Sequence, residues 1–268
     1  MFELTFDVSV VSTLYPLTLG ASVYTVGTNQ LKYMKVYELM EDEELTFAAM
    51  PPSLLQFLSP YFDEIHVPKL KYLIVTAEAA NADLLQRFRG CAPNAEFVNL
   101  YGPTEATIYC TAYRIPPENC KQHNGMIAIG RPFSGLETII MDEKGMPVAE
   151  GEQGELWVSG EQVMRGYWQD EDKSRQVFAR FNGKEYIKQA TSVPSILTGT
   201  SSIEDVKITK SKCKVSESNS ARSNTGQRNS SQTRPMPLSF PRKRTTGDAN
   251  CTCLSGRIPT SGKHYSTT

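Results

Sequence analysis

The sequence predicts an α/β fold: a parallel-sheet α/β subdomain over residues 1–115, a small β subdomain over 116–186, and a disordered tail over 187–268. Three observations predict it. Through residue 112, short apolar runs alternate with segments of helical periodicity, the pattern of strands joined by helices. From Ile127 the runs shorten and Gly turns separate them. After Lys188 the composition changes. Residues 1–188 hold 16 Lys and Arg against 25 Asp and Glu, whereas residues 189–268 hold 12 against 4. About a third of that second block is Ser or Thr, and its aromatic residues are Phe240 and Tyr265. Such a segment buries too little apolar surface to offset the cost of ordering its backbone, roughly 1–2 kcal/mol per residue.

The elements follow in order. Val8 to Gly20 reads as a buried helix ending at a Gly cap. "ASVYTVG" reads as a strand, and "QLKYMKVYELMEDEE" as an amphipathic helix with an acidic end. "LTFAAM" is a short buried strand stopped by Pro51 and Pro52. "PSLLQFLSPYFDEI" is helical, with prolines at its start and a break near Pro60. "LKYLIVTA" is apolar throughout, as in a parallel sheet. "NADLLQRFRGCAP" is a helix with Asn81 as N-cap, and "EFVNLY" is the next strand. Beyond Ile127, "LETIIMD", "EKGMPV" and "GELWVSG" read as short strands, and "DEDKSRQVF" as a short helix.

Ligands of open α/β sheets sit beyond the carboxyl ends of strands. "EFVNLY" delivers Tyr101 to such an end, and Gly102-Pro103 turns the chain there. In "YGPTE" a ring that can stack on a planar base lies beside a hydroxyl that can reach a phosphate oxygen. Glu105 adds a carboxylate of the kind that holds Mg²⁺ together with substrate phosphates. The loop from Thr76 to Asn81 also leaves a strand and enters a helix, so its backbone can line the same crevice. Y-G-P is equally common turn chemistry. Asp7, taken alone, reads first as a helix N-cap.

Four segments in order change that reading. "NLYGPTEAT" resembles the nucleotide-binding core motif of the adenylate-forming (AMP-binding) ligase superfamily. "FDVS" (Phe6 to Ser9) and "GELWVSGEQVMRGYW" (Gly154 to Trp168) resemble motifs of its amino-acid-activating branch, and "IGRPFSGLETIIMD" is similar to the stretch between them. The nearest resemblance is to adenylation domains of nonribosomal peptide synthetases and to D-alanine–carrier-protein ligases. It implies the middle of that family's large N-terminal domain. The implied activity joins an amino acid to ATP, forming an aminoacyl-AMP, and passes the acyl group to the thiol of a phosphopantetheinylated carrier protein.

The resemblance also implies roles. Tyr101 stacks on adenine, Thr104 contacts the α-phosphate, and Glu105 binds Mg²⁺, so Thr104 and Glu105 are the expected catalytic residues. Asn99, Gly102 and the Glu78-Ala79 loop complete the ATP/AMP site. Asp7 pairs with the substrate ammonium group, a charge-assisted contact. Val8, Val11, Ala49, Val75, Ala77, Leu100, Ile108 and Tyr109 surround the substrate side chain. None is charged, which implies an uncharged amino acid; each taken singly reads as core.

The family's chain is expected to be longer at both ends. Upstream it carries a Gly/Ser/Thr-rich loop with a phosphate-binding Lys, so Met1 reads as an internal methionine. Downstream it carries a T-G-D motif, a hinge and a subdomain with a catalytic Lys. Here Ile187, Lys188, Gln189, Ala190, Thr191 and Ser192 can be encoded as ATA AAA CAG GCG ACC TC. One more A gives ATA AAA ACA GGC GAC CTC, which reads "IKTGDL". A one-nucleotide loss near Lys188 is therefore expected, with an out-of-frame tail, and the chain as written is expected to lack amino-acid-dependent pyrophosphate exchange. Two rival readings are an acyl-CoA-type ligase, against which Asp7 argues, and a non-catalytic fragment. In the latter, Arg242, Lys243 and Arg244 would be a nucleic-acid patch.

Other classes find little support. No run reaches the ~18–20 apolar residues of a membrane span. Cys91, Cys110 and Cys120 are scattered without metal-type spacing, which fits a reducing cytoplasm. Cys251 and Cys253 form a lone C-x-C, and His66, His123 and His264 form no cluster.

Overall fold

The computed structural model describes residues 2–27, 31–149, 152–196 and 205–207. Helix α1 (Val8–Thr18) closes as expected at glycine. Gly20 takes a φ of 73°, its N–H donates to the Leu17 carbonyl, and the Ala21 N–H donates to that of Pro16. These two bonds make a Schellman cap, which a residue with a side chain would strain. The burial expectation for α1 is not met. Only Val8 and Ser9 are buried, while Leu14 and Leu19 are 57% and 68% exposed. Its apolar composition exceeds what neighbouring described elements cover. The expected strand at "ASVYTVG" is corrected too: residues 21–27 join no ladder.

Helix α2 (Lys32–Asp42) precedes β1 (Phe47–Met50), and α3 (Pro52–Leu58) starts on proline and ends in a 3₁₀ turn at Ser59–Tyr61. Strand β2 (Tyr72–Thr76) leads into α4 (Ala82–Arg89), and β3 (Glu96–Tyr101) follows. The Asn81 side chain accepts the Leu84 N–H at 3.1 Å, the predicted cap. Strands β1, β2 and β3 pair in parallel in sequence order. Leu54, Leu55, Leu85 and Phe88 of the helices bury themselves with Leu73, Val75 and Phe97 of the sheet. This is the layered core that a continuous apolar strand requires.

The sheet then turns antiparallel. Strand β4 (Thr111–Ile115) pairs β3, and β5 (Gln122–His123) and β4 both pair β6 (Met126–Pro132). Strand β7 (Leu136–Met141) pairs β8 (Gln153–Gly160). "EKGMPV" is a turn followed by an isolated bridge of Pro147 to Met141, not a full strand. Asp142 Oδ1 accepts the N–H groups of Lys144 and Met146, both at 2.8 Å, and Gly145 has φ 74°. An Asp carboxylate two residues upstream competes with strand pairing in this way. Helix α5 (Glu171–Val177) is capped by Asp170, and β9 (Phe178–Phe181) pairs β10 (Lys184–Ile196).

The boundary expected at residue 187 falls inside β10. Its register with β8 is regular to Gln189 and shifts before Ser192. Strand β11 (Asp205–Lys207) pairs β10 and β6. The remainder of the expected tail, including Arg242, Lys243, Arg244, Cys251, Cys253 and His264, lies outside the described residues.

A second core holds Ile129, Ile140, Leu156, Val158 and Ile187. Ala106 and Cys110, from before the boundary expected at residue 115, belong to it. The loop after β3 is thus rooted in the β-rich half. Among the described residues no helix is long and apolar enough to cross a membrane.

Candidate functional site

Two adjacent parallel strands, β2 and β3, end side by side, and the chain leaves each in a strained loop. Ala77 has φ 69°; Thr107 and Ile108 have φ 56° and 71°. Non-glycine residues at positive φ are uncommon and persist where surrounding contacts impose them. Between the loops lies a cavity of about 230 Å³. Asp7, Val8, Ala77, Glu78, Ala79, Asn99, Leu100, Tyr101, Gly102 and Thr104 line it, ten residues that the sequence reading assigned to one site. The volume is below the ~300–1,000 Å³ of drug-sized pockets, so it fits part of a nucleotide rather than the whole.

Each side chain is placed by identifiable contacts. Gly102 lies against the returning chain: a Cβ there would stand 2.5 Å from the Ile108 carbonyl oxygen and 2.6 Å from the Tyr109 Cα. Only glycine allows that approach. The Tyr101 carbonyl accepts the Cys110 N–H at 2.8 Å, closing the loop. Asn99 is buried, and its Nδ2 donates to the Ala128 carbonyl at 2.8 Å, tying β3 to β6. Asp7 stands at the N-cap of α1 but makes no side-chain cap bond. Asp7 is instead one of the residues that line the cavity.

Other expected residues lie elsewhere. Val11 and Ala49 line a second, apolar cavity of about 480 Å³ among α1, residues 21–26, α2 and β1. Val75 is fully buried in the core. Ile108 is half-buried, and neither it nor Tyr109 lines either cavity. Tyr109 is near enough to sense the site, however. Burial raises its hydroxyl above the ordinary range, the Thr76 hydroxyl bonded to it opposes this, and the Asp7 charge adds to the rise.

Glu78 and Glu105 differ from the expectation in detail. Glu78 Oε2 accepts the Ser53 N–H and its Oε1 the Ser53 hydroxyl, both at 2.9 Å. Its carboxylate thus sits at the start of α3, while its backbone lines the cavity. Glu105 is adjacent to Thr104 but is not among the lining residues. Its Oε1 accepts the Tyr167 hydroxyl at 2.6 Å. Burial and the Glu105 carboxylate push that hydroxyl up to about 12, so it remains a donor.

Residues 162–167 carry contacts the sequence reading did not assign. Gln162 Nε2 donates to the carbonyls of Ala106 and Tyr109, both at 2.6 Å. The Thr107 hydroxyl donates to the Gln162 carbonyl at 2.6 Å, and the Met164 N–H donates to the Glu105 carbonyl at 2.8 Å. These residues lie in the quoted motif at Gly154 to Trp168, but a separation of over fifty positions hides the contact from one sequence. Among the described residues no three His, Cys, Asp or Glu side chains gather around a common point. Glu105 is a lone carboxylate next to Thr104, a residue of the cavity wall, and Mg²⁺ needs only one or two carboxylates because it keeps water and takes its remaining ligands from phosphate.

Comparison with known proteins places this geometry. Residues 1–168 match the family model described as AMP-binding enzyme. The chain is 33% identical to novobiocin biosynthesis protein H of Streptomyces niveus, over 65% of this chain and 27% of that protein. It is 29% identical to the D-alanine–D-alanyl carrier protein ligase of Streptococcus pneumoniae, over 66% of this chain and 35% of that protein. The crystal structure of the Vibrio cholerae adenylation domain AlmE with glycyl-adenosine-5'-phosphate superposes with a TM-score of 0.67. It is 26% identical, with 77% of this chain and 38% of that chain covered. The chain therefore spans between about a quarter and two-fifths of these relatives' length. By its family match, its relatives and its fold, the chain belongs to the AMP-binding enzyme family, the adenylate-forming ligases.

Proposed function

We propose that the described residues form the central part of an amino-acid-activating site, which makes an aminoacyl-AMP and hands the acyl group to a carrier-protein thiol. One observation supports this reading above the others. Asp7, which brings a carboxylate, lines the same cavity as Tyr101, which brings an aromatic ring, and Thr104, which brings a hydroxyl. A carboxylate that forgoes its helix cap for a cavity suits a cationic ligand group. An acyl chain without an ammonium group would leave it unpaired, so the acyl-CoA-type alternative is disfavoured.

In this reading Tyr101 and the backbone of residues 77–79 hold the base, and Asn99 braces the strand beneath them. Thr104 donates its hydroxyl toward the α-phosphate. Asp7 anchors the ammonium group, which directs the substrate carboxylate toward the same phosphorus. Mg²⁺ and ATP, when bound, supply charge neutralisation and the leaving pyrophosphate; Glu105 would hold the metal. Catalysis is then positioning and charge stabilisation. Val8, Ala77 and Leu100 meet the uncharged side chain at the cavity, and Tyr109, near enough to sense the Asp7 charge, backs them.

Calorimetric titration of the 268-residue protein tests the reading. Asp7→Asn should weaken a non-hydrolysable aminoacyl-AMP analogue about tenfold or more, the effect of losing one charge-assisted contact of about 1.5–3 kcal/mol. AMP itself should bind as before. Equal loss for both ligands, or for neither, refutes the ammonium role.

A further inference from the structure

We infer that Tyr167 is a positioning residue for the Glu105 carboxylate, and that it couples the β-rich half of the molecule to the metal side of the site. This rests on the proposed function, in which Glu105 holds Mg²⁺. The geometry is specific. Residues 164 and 167 grip Glu105 at both ends: the Met164 N–H donates to its carbonyl at 2.8 Å, and the Tyr167 hydroxyl donates to Oε1 at 2.6 Å. The second distance is that of a charge-assisted bond. One oxygen is thereby engaged by the protein, and Oε2 is the oxygen left to take a cation. A carboxylate that ligates a metal through one oxygen is commonly held through the other in this manner.

Tyr167 is itself held from α5. Lys173 Nζ lies 4.0 Å from the centre of its ring. The Tyr167 N–H donates to Ser174 Oγ at 2.8 Å, and that hydroxyl donates to the Asp170 carbonyl at 2.7 Å. Gly166 is extended at φ 149° against the same serine, and a Cβ there would come within 3.1 Å of Ser174 Oγ. The chain from Glu105 through Tyr167 to α5 is thus continuous. It spans parts of the sequence more than sixty residues apart. The phenolic hydroxyl serves no packing need, since the ring would keep its cation–π contact as phenylalanine.

The test compares the unaltered chain with Tyr167→Phe. Mn²⁺ binding in the presence of AMP is followed by electron paramagnetic resonance, AMP binding without metal by calorimetry, and folding by thermal melting. The expected result is a 10–100-fold loss of Mn²⁺ affinity, the usual cost of removing a group that orients a metal ligand. Metal-free AMP affinity and the melting temperature should stay as they were. Unchanged Mn²⁺ affinity overturns the inference, as does a parallel loss of AMP affinity, which would mark a merely structural role. If Tyr167→Phe does not fold, Ser174→Ala, which loosens Tyr167 but keeps its hydroxyl, takes its place. The same selective loss is expected of it, and its absence overturns the inference. If the unaltered chain binds AMP but no Mn²⁺ with it, the metal role of Glu105 and this inference fall together. If it binds neither, the nucleotide site itself falls.

Discussion

The two loops that face each other across the cavity are held in opposite ways. The loop after β2 is fastened locally: Glu78 reaches the start of α3, an element of the same α/β layer. The loop after β3 is fastened remotely: Gln162, Met164 and Tyr167 reach it from the segment after β8. Its back, Ala106 and Cys110, is buried in the second core. One wall of the site therefore depends on its own neighbourhood, and the other on the assembly of two cores. A cavity built this way has both of its walls only when both halves are folded.

The largest effect should come from the position where the loop after β3 lies tightest against its own returning chain. Gly102→Ala places a methyl group 2.5 Å from the Ile108 carbonyl. Backbone cannot yield as a flexible side chain does, so a loss of about 3 kcal/mol is expected, read as a lowered denaturant midpoint. A substitution without effect would mean that the loop after β3 is not pressed against residues 108–110. Next, Gln162→Ala should cost about 2 kcal/mol, because the carbonyls of Ala106 and Tyr109 each lose a donor. Hydrogen exchange should quicken at Thr107 and Met164 and stay unchanged at Ala79 and Ala80. Exchange that quickens on both loops together would erase the contrast between them.

The smallest effect belongs to the local anchor. Glu78→Gln keeps one acceptor for Ser53 but removes the charge beside the first turn of α3, a loss of about 0.5–1 kcal/mol. Its exchange pattern should be the converse, faster at Ser53 and Leu54 and unchanged at Thr107. A larger loss than that of Gln162→Ala would reverse the ranking of the two anchors.

Most elements were legible because their signals are local. The buried runs of β2 and β3, Pro51 before α3, the Asn81 cap and the glycine after α1 each act within a few residues. The failures were also local in origin. "ASVYTVG" has strand composition, but a strand exists only where a ladder partner is present. "EKGMPV" follows an Asp whose side chain captured the N–H groups a strand would have used. Helix α1 carries an apolar pattern, and pattern alone does not say how much of it neighbouring elements cover.

Within the candidate site, residue types in "YGPTE" and the carboxylate in "FDVS" offered chemistry that a turn or a helix cap would explain as well, and the order of four segments decided between them. Which of them share one cavity did not follow from type or spacing. Asp7 and Tyr101 are ninety-four positions apart and meet only because β2 and β3 end beside the start of α1. The Glu78-Ala79 loop lines the cavity, yet that the Glu78 carboxylate would bind Ser53 was not legible in the sequence. Tyr167 lies in a segment whose resemblance assigns it no role. The sequence by itself determined the chemical vocabulary: local caps, turns, strands, and a ring, a hydroxyl and two acids. Only the tertiary structure decided which of those groups face one another and which anchor holds each loop. The physical reason is that propensity and capping act over a few residues, whereas a cavity is closed by packing between segments that chain distance does not relate.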